Sequence, residues 1–192
     1  MAEAATRARL LSSVILVLLV CAHAVSAQKP RTNPDAATIV DFMKRVDQYV
    51  ALHKKLESTL PKLPKEATPQ QIDEHQRAFG KLIQENRAAA KPGDLFTPAM
   101  RRLVRRLMRQ VFRGEGGVQL KKEILEEYTE NVPLKVNGRY PDSVPLSTVP
   151  PQVLKGLPNL PEQLEYRFVG DRLILLDPAA HVIVDYMERV FP

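Results

Sequence analysis

Apolar and semi-apolar residues recur at Ile39, Phe42, Val46, Tyr49, His53, Leu56 and Leu60, in alternating steps of three and four. This is the seam of an amphipathic helix that pairs along its length. Asn33 stands as its N-cap and Pro34 as its first residue, where the missing N–H costs nothing. Pro61 and Pro64 end it, so the rod from Pro34 to Leu60 is about 40 Å long at ~1.5 Å per residue. A second helix opens at Thr68-Pro69, and Gln71 completes a capping box. Its stripe is Ile72, His75, Phe79, Leu82, Asn86 and Ala89. Two such helices joined by a short proline-containing turn predict an antiparallel hairpin over 34–90, or the same seams meeting between the chains of a homodimer.

A third helix runs from Thr97-Pro98 to Arg113, where Gly114, Gly116 and Gly117 stop it, and a fourth covers 118–130. Beyond Asn131 the pattern changes. Prolines crowd between Pro133 and Pro161, and the period then falls to two: Leu164, Tyr166 and Phe168 alternate with Glu165 and Arg167. Gly170-Asp171 is a hairpin turn, Leu173–Leu176 the return strand, Asp177-Pro178 a second turn and Val182–Tyr186 a third strand. Asn137-Gly138 makes a further turn, and a short helix over 150–155 closes at Gly156. The fold class is α+β: an amino-terminal helical hairpin, two further helices, then a small three-stranded antiparallel meander whose apolar face the helices cover.

The first 27 residues read as a secretory signal. Arg7 and Arg9 precede an apolar run from Leu10 to Ala22, and Val25-Ser26-Ala27 places small residues for cleavage after Ala27. The run is about 13 residues, against the ~20 that a spanning helix needs. A retained anchor, and a lipoprotein with Cys21 as its first residue, are the alternatives; Val20 is large for the position before a lipid-bearing cysteine. Cys21 is the sole cysteine. Its removal leaves a chain with no thiol, no disulfide and no cysteine metal site, and the lost Arg7, Arg9 and Glu3 lower the net charge of +6 by one. A basic protein sent to the periplasm or beyond points away from nucleic acid, and toward anionic lipid, an acidic envelope polymer or an acidic protein. Three regions follow: 1–27 the signal, 28–131 helical, and 132–192 the proline-rich segment with the meander.

Near the carboxy-terminal end, Val149-Pro150-Pro151-Gln152-Val153-Leu154-Lys155-Gly156, then Leu164-Glu165-Tyr166-Arg167-Phe168-Val169-Gly170-Asp171, then Leu173–Asp177 and Val182–Asp185, form a sequence of turn and core residues. About 45 residues here resemble the carboxy-terminal part of the periplasmic RcnB/CigR-like proteins, in which a proline-rich helix leads into a comparable meander. The resemblance implies an envelope compartment and permits a role in nickel or cobalt homeostasis. It carries over no functional residue. This chain lacks the glycine after Pro150-Pro151 and has a long helical region ahead of the module.

Candidate chemistry lies in two places. At 100° per residue, Arg101, Arg102, Arg105, Arg106, Arg109 and Arg113 fall within an arc of about 140°, opposite Met100, Leu103, Val104, Leu107, Met108 and Val111. Guanidinium forks suit carboxylate or phosphate, so the face either docks on an anionic partner, or is a plainly solvated surface or one neutralised in part by Glu123, Glu126, Glu127 and Glu130 of the next helix. In the hairpin, His53 and His75 flank the turn with Glu57 one turn from His53, so either the three hold a divalent metal or the two histidines pack as core residues. His181 reads as a surface residue at a strand start. No nucleophile elbow, phosphate-binding loop, dinucleotide fingerprint or zinc-hydrolase signature occurs, so the sequence argues for a binding or scaffolding protein rather than an enzyme. A hydrolase without a recognisable motif, its site assembled from distant residues, is the remaining alternative.

Overall fold

A computed structural model describes residues 33–126, 133–144 and 147–192. The leader with Ala27, as well as Glu127 and Glu130, lies outside the described residues. Helix α1 spans Pro34–Glu57 and α2 Pro69–Asn86. Helices α3 (Pro98–Phe112) and α4 (Glu115–Glu126) follow, then the single turn α5 (Pro151–Leu154). Strands β1 (Glu165–Val169), β2 (Arg172–Asp177) and β3 (Val182–Met187) form an antiparallel sheet in that order. The architecture is α+β. No helix among the described residues is long and apolar enough to cross a membrane.

The helix starts follow from local chemistry. Asn33 accepts the Asp35 N–H at 3.0 Å. Thr68 and Gln71 exchange both bonds of a capping box, at 2.8 and 3.2 Å. The first helix stops at Glu57, short of Leu60, because Ser58 and Thr59 turn their hydroxyls onto the carbonyls of Lys55 and Leu56 at 2.7 and 2.6 Å.

The α1 seam is not reserved for α2. Phe42 stacks on Phe96 ahead of α3, with centroids 5.9 Å apart. His53 meets Phe79 of α2 at 4.8 Å, while Tyr49 and His53 reach Asp177 on β2. A stripe of period 3.5 therefore serves three neighbours. In α2 the inward face is Phe79, Gly80 and Ile83, and Ile72 is exposed. A methyl group on Gly80 would lie 3.1 Å from the Ala180 carbonyl, so glycine lets α2 close on the start of β3.

Helix α3 ends by Arg113 as expected, but of the three glycines that follow only Gly114 stands in the turn. Arg113 and Gly114 turn the chain, and Gly116 and Gly117 lie inside α4. A Cβ on Gly117 would overlap the Val111 carbonyl and stand 2.7 Å from the Phe112 Cα. Glycine is there for close approach of α4 to the last turn of α3, not to terminate it.

Gly170 takes φ 59° in the first hairpin, as the two-residue turn requires. Between β2 and β3 the register slips: Leu175 faces Asp185 while Leu176 faces Ile183, leaving Val184 as an extra residue. This bulge resets the alternation, so Asp185 shares the helix-facing side of the sheet with Leu175 and Asp177. Both faces of the sheet are covered. Tyr166, Phe168, Leu173, Leu175 and Met187 join the helical core. Val169, Ile174, Leu176 and Ile183 pack under Tyr140, Leu134 and Val144 from the proline-rich segment. Sequence periodicity had indicated cover on one face alone; the uninterrupted apolar run of β2 reflects burial on two. The Asn137-Gly138 turn also seals the outer edge of β3. Asn137 N donates to the Ile183 carbonyl at 2.7 Å, Ile183 N to the Gly138 carbonyl at 2.9 Å and Tyr140 N to the His181 carbonyl at 2.9 Å. His181 is no surface residue: its backbone is left-handed at φ 54°, its ring lies edge-on to Tyr140, and its side chain is 17 % exposed.

Candidate functional site

Helix α3 is set by its caps and its stripe. Thr97 accepts the Met100 N–H, Pro98 leads in, and Met100, Leu103, Val104, Met108 and Phe112 are buried. The loop leading into it is fixed from the sheet. Asp185 accepts N–H groups from Gly93, Leu95, Phe96 and Tyr186, each at 2.8 Å. Burial pushes its carboxyl above the usual carboxylate range, and the four N–H donors pull it part of the way back.

The six arginines divide by position around the helix. Arg101 donates to the Phe96 carbonyl at 2.8 Å and lies over Gly93. Arg105 donates to the carbonyls of Arg189 and Glu188 at 3.3 and 3.1 Å. Arg106 pairs with Asp35 of α1 at 2.6 Å. Among the described residues, Arg102, Arg109 and Arg113 have no side-chain hydrogen bond or ion pair, and all three are exposed. Placed at 100° per residue, these three fall within about 20° of one line, with the tied arginines on the flanks. They form a ridge about 16 Å long, with spacings of roughly 10 and 6 Å. The internal neutralisation expected from α4 does not occur among the described residues: Glu123 takes a hydrogen bond from Gln119 at 3.0 Å, and Glu126 pairs with Lys122 at 3.6 Å.

The histidine candidates are placed differently. His53 Nδ1 sits 2.6 Å from Asp177 Oδ2, which also accepts the Tyr49 hydroxyl at 2.6 Å; Asp177 Oδ1 takes the Ala180 N–H at 2.9 Å. His53 is 2 % exposed and Asp177 fully buried. Burial, with the Asp177 charge next, pushes the Tyr49 phenol well above its ordinary range. Glu57 stands 3.5 Å from His53 Nε2 at the surface, and His75 lines a neighbouring cleft with Lys54, Glu57 and Leu60. No group of three or more metal-capable side chains gathers among the described residues. His53 thus clasps α1 to β2 as a core residue. Sequence alone does not mark Asp177 and Asp185 as site residues; their signal is a lone acid in an otherwise apolar strand, at the end of β2 and inside β3.

No family model matches the chain, and no curated protein or solved structure matches it.

Proposed function

We propose that the chain works outside the cytosol as a non-enzymatic docking module of the cell envelope, engaging a partner rich in carboxylate or phosphate groups through Arg102, Arg109 and Arg113. The ridge carries this reading. Three guanidinium groups stand in line on a capped, core-packed helix while their neighbours are held by carbonyls and by Asp35. Arginine forks offer paired donors to planar anions. An apolar leader ending in small residues supports an exported location, as does the likeness to RcnB/CigR-like proteins.

The test is a triple Arg102→Gln/Arg109→Gln/Arg113→Gln variant in an envelope-association assay over a salt series. Each exposed arginine contributes about 1 kcal/mol near an anionic surface, so the variant should bind about 100-fold more weakly at low salt and lose most of its salt dependence. Association equal to wild type, with the same salt response, would end the docking reading.

A further inference from the structure

The arginine ridge ends at a groove whose lining differs from its own. Phe112 and Arg113 form one wall, and Val118, Lys121, Lys122 and Leu125 the other, around a cavity of about 570 Å³. The four α4 residues follow the spacing of a single helix face, so they make an outward stripe distinct from the inward Leu120 and Ile124. Val118 is 60 % exposed. Other exposed large apolar residues, such as Val40, Leu63 and Leu154, do not line this groove. Arg113 belongs to both surfaces: it is the last residue of the ridge and the first of the groove.

We infer that the partner of this surface is an anionic phospholipid, its phosphate held by the arginine ridge and part of its acyl chain lodged in the α3–α4 groove. The inference rests on the docking reading and narrows its partner. Cations lie along the ridge and at the groove rim, and Phe112, Val118 and Leu125 line the apolar interior. Lys121 and Lys122 can lay their methylene stems over the apolar wall, their ammonium groups held at the rim by the Pro192 oxygen at 2.5 Å and by Glu126 at 3.6 Å. An acidic polysaccharide would satisfy the ridge and leave the groove exposed to water. A lipid satisfies both, because it joins a phosphate to a hydrocarbon chain. Glu126 and Pro192 also line the groove, and each is already paired with a lysine of α4, Lys122 and Lys121 respectively.

The experiment uses the purified protein with vesicles of phosphatidylglycerol in phosphatidylcholine, with pure phosphatidylcholine vesicles, and with immobilised heparin as a soluble polyanion probe. Wild type should sediment with the anionic vesicles and not with the neutral ones. A Val118→Gln/Leu125→Gln variant, with the arginines intact, should keep its heparin retention and lose vesicle binding; each methylene no longer buried weakens it about fourfold. Vesicle binding equal to wild type in that variant would overturn the lipid assignment and leave the arginine ridge standing. So would wild type that binds heparin or an acidic peptide but not the vesicles, or that forms a concentration-dependent dimer abolished by the double substitution. If wild type binds neither vesicles nor polyanion, both the lipid assignment and the docking reading fall. Far-ultraviolet circular dichroism of each variant verifies that the helices are retained.

Discussion

Asp185→Asn offers the most direct test of how the arginine helix is positioned. One carboxylate accepts four backbone N–H groups, two on each oxygen. The amide keeps one oxygen and sets an NH2 group against the other pair. If the retained oxygen faces Gly93 and Tyr186, the N–H groups of Leu95 and Phe96 lose their acceptor, and these residues are 4 % and 0 % exposed. A buried donor left unpaired costs about 1–3 kcal/mol, so the pair comes to about 4 kcal/mol. Against a total stability of about 5–15 kcal/mol this is a large fraction. For a domain of this size it corresponds to a fall in melting temperature of roughly 8–16 °C.

Urea denaturation followed by circular dichroism measures this, with exposed Asp47→Asn as the control. The pH dependence supplies a second check. The Asp185 carboxyl is raised in the folded state, so its titration contributes stability that is fully present below the unfolded value and is lost as pH rises through the folded one. The advantage of wild type over Asp185→Asn should therefore be larger in acid, below the ordinary carboxylate value, than at neutrality. A loss below about 1 kcal/mol at neutral pH would refute the claim that Asp185 fixes the loop ahead of α3.

Two further outcomes are expected. Gly117→Ala should destabilise by about 1–3 kcal/mol in a urea titration, through overlap with Phe112, although helix propensity alone predicts a gain of up to ~1 kcal/mol. His181→Asn should flatten the loss of stability on acidification: burial first, then Arg139, lowers the histidine in the fold, so its contribution is present above its unfolded value of 6.5 and lost as pH falls through the folded one. Asparagine suits the left-handed backbone at this position, and an unchanged acid limb in melts between neutral pH and pH 5 would count against it.

Helix starts were legible because they are local. Asn33-Pro34, Thr68-Pro69 and Thr97-Pro98 each supply a side-chain acceptor followed by a residue without an N–H, and all three cap as expected. The hairpin at Gly170 and the three strands were legible for the same reason. Glycine in α4 was not, because absence of a side chain serves both to end a helix and to admit a neighbour, and only the position of Phe112 distinguishes the two. The bulge at Val184 was hidden in the β-branched run Val182-Ile183-Val184, which reads as regular strand. Its trace was Asp185 inside an apolar strand, a residue that cannot be buried without partners. Three of its four donors lie in a loop far away in sequence, which no periodicity reports. His53 was visible as a seam residue, while its partner Asp177 was not, for the same reason.

The arginine arc was legible as a whole, but its division was not. Which guanidinium groups are free depends on Asp35 and on the carbonyls of Phe96, Glu188 and Arg189, none of them in α3. Tethering the flanks has a consequence for the middle. A helix with six loose arginines could spread its charge by reorienting side chains, but here three are fixed and the others remain in line at roughly 6 and 10 Å. Those spacings bracket the screening length of about 8 Å at physiological salt, so neighbouring charges still add to one another's field there. At 1 M salt the screening length is near 3 Å, and each arginine acts alone. A ridge of this geometry should therefore lose its grip on an anionic partner over that salt range. The buried clasp of Tyr49, His53 and Asp177, shielded from solvent, should not respond.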